Sequence, residues 1–428
     1  MLATTLLLLV VLLAVSVPVA AVMGVLGLAL GQFFSMMPLH RAMGEIIWNS
    51  SSEYILIAIP LFVMLGEILL RAGIAERVYN AIAQWLSWLP GGLMHANIGS
   101  CAMFAATSGS SVATAATIGT VALPEIQKRK YDEPLFLGTI AAGGTLGILI
   151  PPSINFILYG LLTNSSVPRL YLAGFIPGFT LSAFFMVIVL IACLANPRKG
   201  GIPIETTWSA RFRVLPSLIP PTFIFLVVVG SIYAGVATPT EAASLGVIAA
   251  LLLAAWERRV SLPMLRAVAE GTMRTTAMIM LIIMAAQFLN FVLAAIGVTD
   301  GLGKIIEDFG LGKYGTMVLI VIFYLILGCF METISMMILT TPFIAPIVFK
   351  LGWDPIWWGV VLTILIEAAL ITPPVGLNLY VVQGMRTRGS INEVIRGALP
   401  FVFAMVALIA LLMIVPDVAL WLPRYIMG

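Results

Sequence analysis

Charged side chains make up only 10% of the 428 residues, where an ordinary soluble domain carries about 25%. That shortage, with 61% hydrophobic residues, excludes a cytoplasmic enzyme and points to a chain that lives in lipid. Histidine is nearly absent, with only His40 and His95, which leaves little material for metal chemistry. The three cysteines, Cys101, Cys193 and Cys329, all lie in apolar runs, so they read as small packing residues rather than a disulfide or metal framework. The net charge of +3 is small and its Lys and Arg are scattered, which gives no footprint for nucleic acid. No stretch alternates apolar and polar residues as a membrane barrel would. No phosphate-cradling G-x-x-x-x-G-K-[ST] motif occurs. The first 35 residues lack a basic residue before their apolar run and continue past Pro18, unlike a secretory leader.

What is present is apolar length. A spanning helix needs roughly 20 apolar residues, and the expected fold is an all-α polytopic membrane protein with about ten such helices. Two short spans at 2–16 and 19–35 turn at Val17-Pro18. Further spans cover 54–71, 134–165, 170–195, 214–235, 238–256, 275–298, 354–385 and 397–420. Two segments of another kind, 92–125 and 314–349, are rich in Gly, Ser, Thr and Ala and read as re-entrant hairpins. Most Lys and Arg, including Lys128–Lys130, Arg386 and Arg388, then fall on one side, with Lys313 and Lys350 opposite. The positive-inside bias makes the first side cytoplasmic and leaves both termini outside.

The chain repeats itself. Ile150-Pro151-Pro152-Ser153-Ile154-Asn155 returns as Thr372-Pro373-Pro374-Val375-Gly376-Leu377-Asn378, with Pro151 and Pro373 separated by 373 − 151 = 222 residues. The same shift superposes the hairpins around Ser108 and Glu332 and brings Pro18 close to Pro239. Residues 1–200 therefore form one repeat, with an amphipathic arm at 73–89, the hairpin and the broken helix 134–165. Residues 201–428 form the other, with an arm at 300–313, its hairpin and the broken helix 354–385. Five spans and a hairpin per half make the second copy inverted, the architecture of secondary transporters with a site between repeats near mid-membrane. Transport and scaffold parts interleave between the halves.

Each Pro-Pro removes two backbone donors from its helix, and freed carbonyls inside a membrane are tolerable only where they are buried or line a cavity. A pair of structural kinks is the plainer alternative, but two copies in register, each followed by Asn, favour binding. The first hairpin offers Thr107-Ser108-Gly109-Ser110-Ser111-Val112-Ala113-Thr114, and the second carries Glu332 at membrane depth, a functional candidate by default. Glu67 precedes Arg71 by four residues, so a helix ion pair accounts for it. Glu367, one turn before Thr372, is harder to dismiss. Glu241 sits at an outer turn as a capping residue for the next helix. A serine hydrolase is the distant rival, and it would need a base beside Ser100 or Ser110. Only His95 shares that hairpin, near its cytoplasmic mouth.

The runs Ser108–Ala116, Leu146–Ser153, Tyr171–Gly178, Ala237–Ala243 and Thr372–Asn378 together resemble the large membrane subunit, DctM, of the tripartite ATP-independent periplasmic (TRAP) transporters. The resemblance covers essentially the whole chain. It departs at Glu332-Thr333, where many members carry Asp-Pro. It implies a sodium-driven permease in the bacterial inner membrane that imports an organic acid such as a C4-dicarboxylate or sialic acid and is not an enzyme. Partners would be a periplasmic substrate-binding protein and a small membrane subunit of about four spans, expected as a separate chain because this one begins directly with the large-subunit pattern. Hairpins and broken helices would move as an elevator against the outer spans, with the two amphipathic stretches as arms.

The resemblance also implies two sodium sites built mostly from main-chain oxygen. The first would use Ser108, Ser111, Gly147, Ile150 and Pro152. The second would use Gly328, Glu332 or Thr333 with Ala369, Thr372 and Gly376. Half-helix N-termini suit a substrate carboxylate, with Ser110, Ser153, Asn155 and Asn378 as contacts. In the connection Met36–Glu53, Arg41, Glu45 and Trp48 form a mixed polar and aromatic set suited to docking the binding protein, with the arm Asp300–Lys313 as the other candidate surface. A stand-alone sodium–carboxylate symporter of related fold, needing no binding protein, is the alternative.

Overall fold

The computed structural model describes residues 2–15, 17–298, 301, 310–329 and 331–428. The expected outer arm at 300–313 lies largely outside the described residues, as does the side chain of Ser108. Among the described residues every regular element is helical, as the composition requires. Among the described residues seven helices are long and apolar enough to cross a membrane alone, and eight if Glu133–Leu149 and Ile154–Thr163 count as one bent span. Val19–Phe34 and Pro355–Ala369 are shorter apolar helices, so the expectation of about ten spans includes helices that cannot cross unaided.

Several boundaries differ from expectation for local reasons. The span expected from 275 begins at Leu262, because Ser261 caps the backbone N–H of Met264 and proline sits in the first turn. The span expected to reach 420 ends at Ile414, and a separate helix, Asp417–Met427, starts after Pro416. The connection Met36–Glu53 is not an open loop. It forms a single turn, Leu39–Ala42, and a helix, Met43–Ser51. Glu45 lies in that helix's first turn, where its charge meets the positive end of the dipole. At the outer turn, Thr238 and Glu241 form the expected reciprocal cap on Pro239–Trp256.

The helices sort into an inner and an outer group. Two helices at the centre, Glu133–Leu149 and Pro355–Ala369, are buried along almost their whole length. Against them pack the first hairpin (Leu93–Ser108, Ser111–Arg129), the second hairpin (Gly312–Leu327, Thr333–Lys350) and Ile391–Ile414. A Cβ at Gly138 would run into the Gly397 carbonyl, and one at Gly397 into the Pro134 carbonyl, so glycine lets these backbones touch. The outer group joins Leu262–Ala295 to Val19–Phe34 and to Ala58–Arg71, which also packs on Pro239–Trp256. Its outward residues, such as Leu245, Ile248 and Leu252, are exposed apolar side chains, as lipid-facing positions should be. The arm Ile74–Leu86 turns Ile74, Val78, Tyr79 and Ile82 inward. A buried chain from Tyr79 through Asn97 to Thr139 ties it to the first hairpin and the central helix.

Candidate functional site

Glycine makes the apex of the first hairpin. Gly109 adopts φ +60° between the two helices, a conformation that costs a glycine little. Ser110 then caps the returning helix, its hydroxyl accepting from the backbone N–H of Ala113. The apex rests on the first broken helix: a Cβ at Gly109 would sit 3.6 Å from the Pro152 carbonyl oxygen, and one at Gly147 only 2.9 Å from that of Ser110. Pro151 and Pro152 have no N–H to give the carbonyls of Gly147 and Ile148. Among the described residues no other donor reaches those two oxygens. The half-helix Ile154–Thr163 restarts with Ser153 as its cap, accepting from the Phe156 N–H.

The second tip and break use different chemistry. Glu332 caps Thr333–Lys350, its carboxylate accepting the backbone N–H groups of Ile334 and Ser335 and the Ser335 hydroxyl, each at 3.1 Å. A Cβ at Gly328 would run into the side chain of Ala369, and the Cys329 thiol donates to the Pro373 carbonyl at 3.1 Å. Here the carbonyls beside the prolines are engaged: Ala369 accepts from Thr372 N–H at 3.3 Å, and Leu370 from Asn378 N–H at 3.1 Å. The Thr372 hydroxyl donates to the Ala368 carbonyl. Gly376 restarts the helix at φ +42° with no side-chain cap. The bonds Pro151-Pro152 and Pro373-Pro374 are both cis.

A cavity of about 140 Å³ opens where these parts meet the outer helices. Its inner wall is formed by Gly109 to Ala113, Ile148, Ile154, Asn155, Glu332 to Ile334 and Leu370, and its outer wall by Val63, Gly66, Glu67, Leu70, Thr275 and Ile279. Asn155 is the most telling lining residue. It is fully buried, yet neither atom of its amide has a partner, so a donor and an acceptor are available to a guest. Of the expected site residues, Ser110, Ser111, Asn155, Glu332 and Thr333 line this cavity. Gly147, Ile150 and Pro152 lie in the first break, and Gly328, Ala369, Thr372 and Gly376 at the second tip and break, all behind the wall. Ser153 is buried and its hydroxyl caps a helix. Asn378 reaches into the other half, donating to the Ala141 carbonyl at 3.1 Å. Arg41, Glu45 and Trp48 are exposed on the short outer helices.

Two carboxylates mean more than their sequence context indicated. Glu67 does pair with Arg71 at 2.9 Å, but it also lines the cavity. Glu367 is fully buried behind the wall and accepts the Ser111 hydroxyl at 2.6 Å. Its place one turn before the break was the sequence signal for it. The hydrolase alternative meets a geometric obstacle. His95 begins the helix that ends at Ser108, roughly 20 Å along the axis from the apex, and its ring is bonded to the Pro90 carbonyl. Among the described residues no group of three or more His, Cys, Asp or Glu could hold a metal ion.

Comparison with known proteins bears on what such a cavity serves. The solved YdaH transporter of Alcanivorax borkumensis has the same fold, with a TM-score of 0.56 at 16% identity, covering 98% of both chains. The C4-dicarboxylate TRAP transporter large permease protein DctM of Vibrio cholerae is 31% identical over 409 residues, 90% of each chain. The sialic acid TRAP transporter large permease protein SiaM of the same organism is 29% identical, over 88% of each chain. The family model described as the DctM component of tripartite ATP-independent periplasmic transporters matches residues 6–418. A chain matched along nearly its whole length, folded as a polytopic helical protein around paired hairpins and broken helices, belongs to the DctM family of TRAP transporter permeases of the bacterial inner membrane.

Proposed function

We propose that this chain is the permease of a sodium-driven, binding-protein-dependent importer of an organic acid. The observation that carries the reading is the position of the cavity. It lies between an inner group of hairpins and broken helices and an outer group of long spans, with the unpartnered Asn155 amide in its wall. Movement of the inner group against the outer one would expose such a cavity to either side, an elevator working between inverted repeats. Carboxylate or sialic acid solutes named for relatives fit a wall that offers Asn155, Ser110 and the start of the helix Ser111–Arg129. Sodium ions would bind at the two tip–break pairs, on the free carbonyls of the first and beside the Glu332 carboxylate of the second. Each net charge carried inward gains about 2.3 kcal/mol per 100 mV, so more sodium ions than carboxylates allow the acid to be concentrated.

The partners in this reading are a small membrane subunit and a soluble periplasmic protein that hands over the solute. The test is uptake into proteoliposomes with sodium, the small subunit and the binding protein omitted one at a time. Loss of uptake in every case is the expected result. Uptake that persists without the binding protein would make the chain a stand-alone symporter. For docking, the exposed Arg41, Glu45 and Trp48 form the contact. Double charge reversal at Arg41 and Glu45 should raise the binding-protein concentration needed for uptake and leave sodium affinity alone. Rim charges act on association and are screened by salt, so the defect should change with ionic strength. An unaltered concentration dependence moves the contact to Asp300–Lys313.

A further inference from the structure

Glu367 is a carboxyl group with an unmet need. It stands on Pro355–Ala369, two residues before that helix ends at the second break, and is completely buried. It does not face the cavity; the wall there is made by Ser111 and Leu370. Its Oε2 accepts the Ser111 hydroxyl at 2.6 Å, while Oε1, equally buried, has no partner. None of the ion pairs among the described residues reaches it. A carboxylate at membrane depth held by one neutral donor is costly unless a proton or a metal cation joins it.

The surroundings suit a small hard cation. Ser111 spends its proton on Glu367, which leaves the hydroxyl's lone pairs free to ligate. The carbonyl of Ser110, which faces Gly147, already accepts the Thr114 N–H at 3.0 Å and the Thr114 hydroxyl at 2.7 Å. The Gly147 and Ile148 carbonyls have lost their helix donors to Pro151 and Pro152. The first half therefore offers the Ser111 hydroxyl and the two break carbonyls, and the missing element is negative charge.

We propose that the Glu367 carboxylate supplies that charge, as a ligand of a monovalent cation site completed by Ser111, so that one ion joins the first hairpin to the second broken helix. The proposal rests on the sodium-driven reading above. Both halves of the chain then contribute to one site, and cation binding draws the first tip against the helix that enters the second break.

The test is thermal unfolding of the purified full chain in nanodiscs, titrated with sodium chloride at constant ionic strength made up with choline chloride. The wild type should be stabilised by sodium with a defined midpoint. Glu367→Gln keeps the size and the hydrogen bond from Ser111 but loses the charge. Its sodium midpoint should rise at least tenfold, and in sodium-free buffer it should be no less stable than wild type, since an uncompensated charge has been removed. A role limited to structure predicts the opposite pair, lower stability without sodium and an unmoved midpoint, and either of those results overturns the site. Should Glu367→Gln fail to fold, Ser111→Ala reads the same contact, and a midpoint within twofold of wild type would sink the proposal. A wild type indifferent to sodium removes the sodium-driven reading as well, whereas a responsive wild type beside an unchanged Glu367→Gln removes only this site.

Discussion

The two tip–break pairs come from matching places in the sequence, yet they manage their broken backbones in opposite ways. In the first, serines cap both restarted helices and the Gly147 and Ile148 carbonyls remain free. In the second, a carboxylate caps one helix, a left-handed glycine restarts the other, and the carbonyls of Ala369 and Leu370 are already taken by Thr372 and Asn378. The asparagines differ in the same direction. Asn155 keeps its whole amide for the cavity, while Asn378 spends a proton on Ala141. The same backbone device occurs twice, with different side chains around it. In the proposed reading the first pair presents neutral, unspent groups to guests, and the second carries charge and holds the halves together.

The largest effects should come from glycines at which tip and break touch. Gly147→Val pushes a branched side chain against the Ser110 carbonyl, 2.9 Å from the Cβ position, and so displaces the tip from the break and its own Gly147 carbonyl. Thr372→Val removes one hydroxyl that already serves the Ala368 carbonyl. Both should shift the sodium dependence of uptake, Gly147→Val by more than about tenfold and Thr372→Val by less, since backbone oxygen is lost only in the first. Equal shifts would erase the proposed division between the pairs. Unchanged sodium affinity in both, at normal expression, would remove the cation placements.

The asparagines give the next step down. Asn155→Ala should lower uptake about tenfold, a loss of roughly 1.4 kcal/mol, while leaving the unfolding temperature nearly unchanged, because the amide bonds nothing in the protein. Asn378→Ala should do the reverse, costing about 1 kcal/mol of stability through the lost bond to Ala141 with a smaller effect on solute affinity. Measuring apparent affinity for solute and unfolding temperature on both variants separates the roles. If Asn378→Ala weakens solute binding as much as Asn155→Ala, both amides face the guest and the comparison fails at this point.

How much of this the sequence disclosed depends on whether a feature is local. Pro-Pro in a long apolar run announces a broken helix, and Gly109 between serine-rich segments announces a tip, so 92–125 and 134–165 were legible. Asn155 was legible because it follows a break that has a copy elsewhere. Glu367 and Glu67 were not assigned their places, since what matters about them is which distant residue they meet: Ser111, 256 positions away, or the cavity shared with Glu332. Glu67 had a sufficient local partner in Arg71, and a satisfied local pair conceals a second exposure. The start at Leu262 was missed for a related reason. Arg266, Glu270 and Arg274 interrupt the apolar run, and hydropathy ends where the lipid does, whereas the helix continues to its serine cap.

The smallest effect belongs to Ser153, and it tests whether the first pair's serines are structural or bind solute. Its hydroxyl accepts from the Phe156 N–H at 3.4 Å, long for a hydrogen bond, and its carbonyl accepts the Tyr171 hydroxyl at the same distance. Removing a serine cap costs about 1 kcal/mol on average, and a long bond places Ser153→Ala at or below that. The half-helix it starts has ten residues and is buried over its first seven, Ile154 to Gly160, so packing rather than the cap holds it. Ser153→Ala should therefore change uptake less than twofold and lower the unfolding temperature slightly, and Ser153→Gly should lie close to wild type, since glycine is tolerated at this position. Ser110, which lines the cavity, is the proper contrast: Ser110→Ala should weaken solute affinity more than Ser153→Ala at a similar cost in stability. If instead Ser153→Ala reduces solute affinity tenfold at unchanged stability, its hydroxyl turns to the guest during transport and joins Ser110 and Asn155 in recognition.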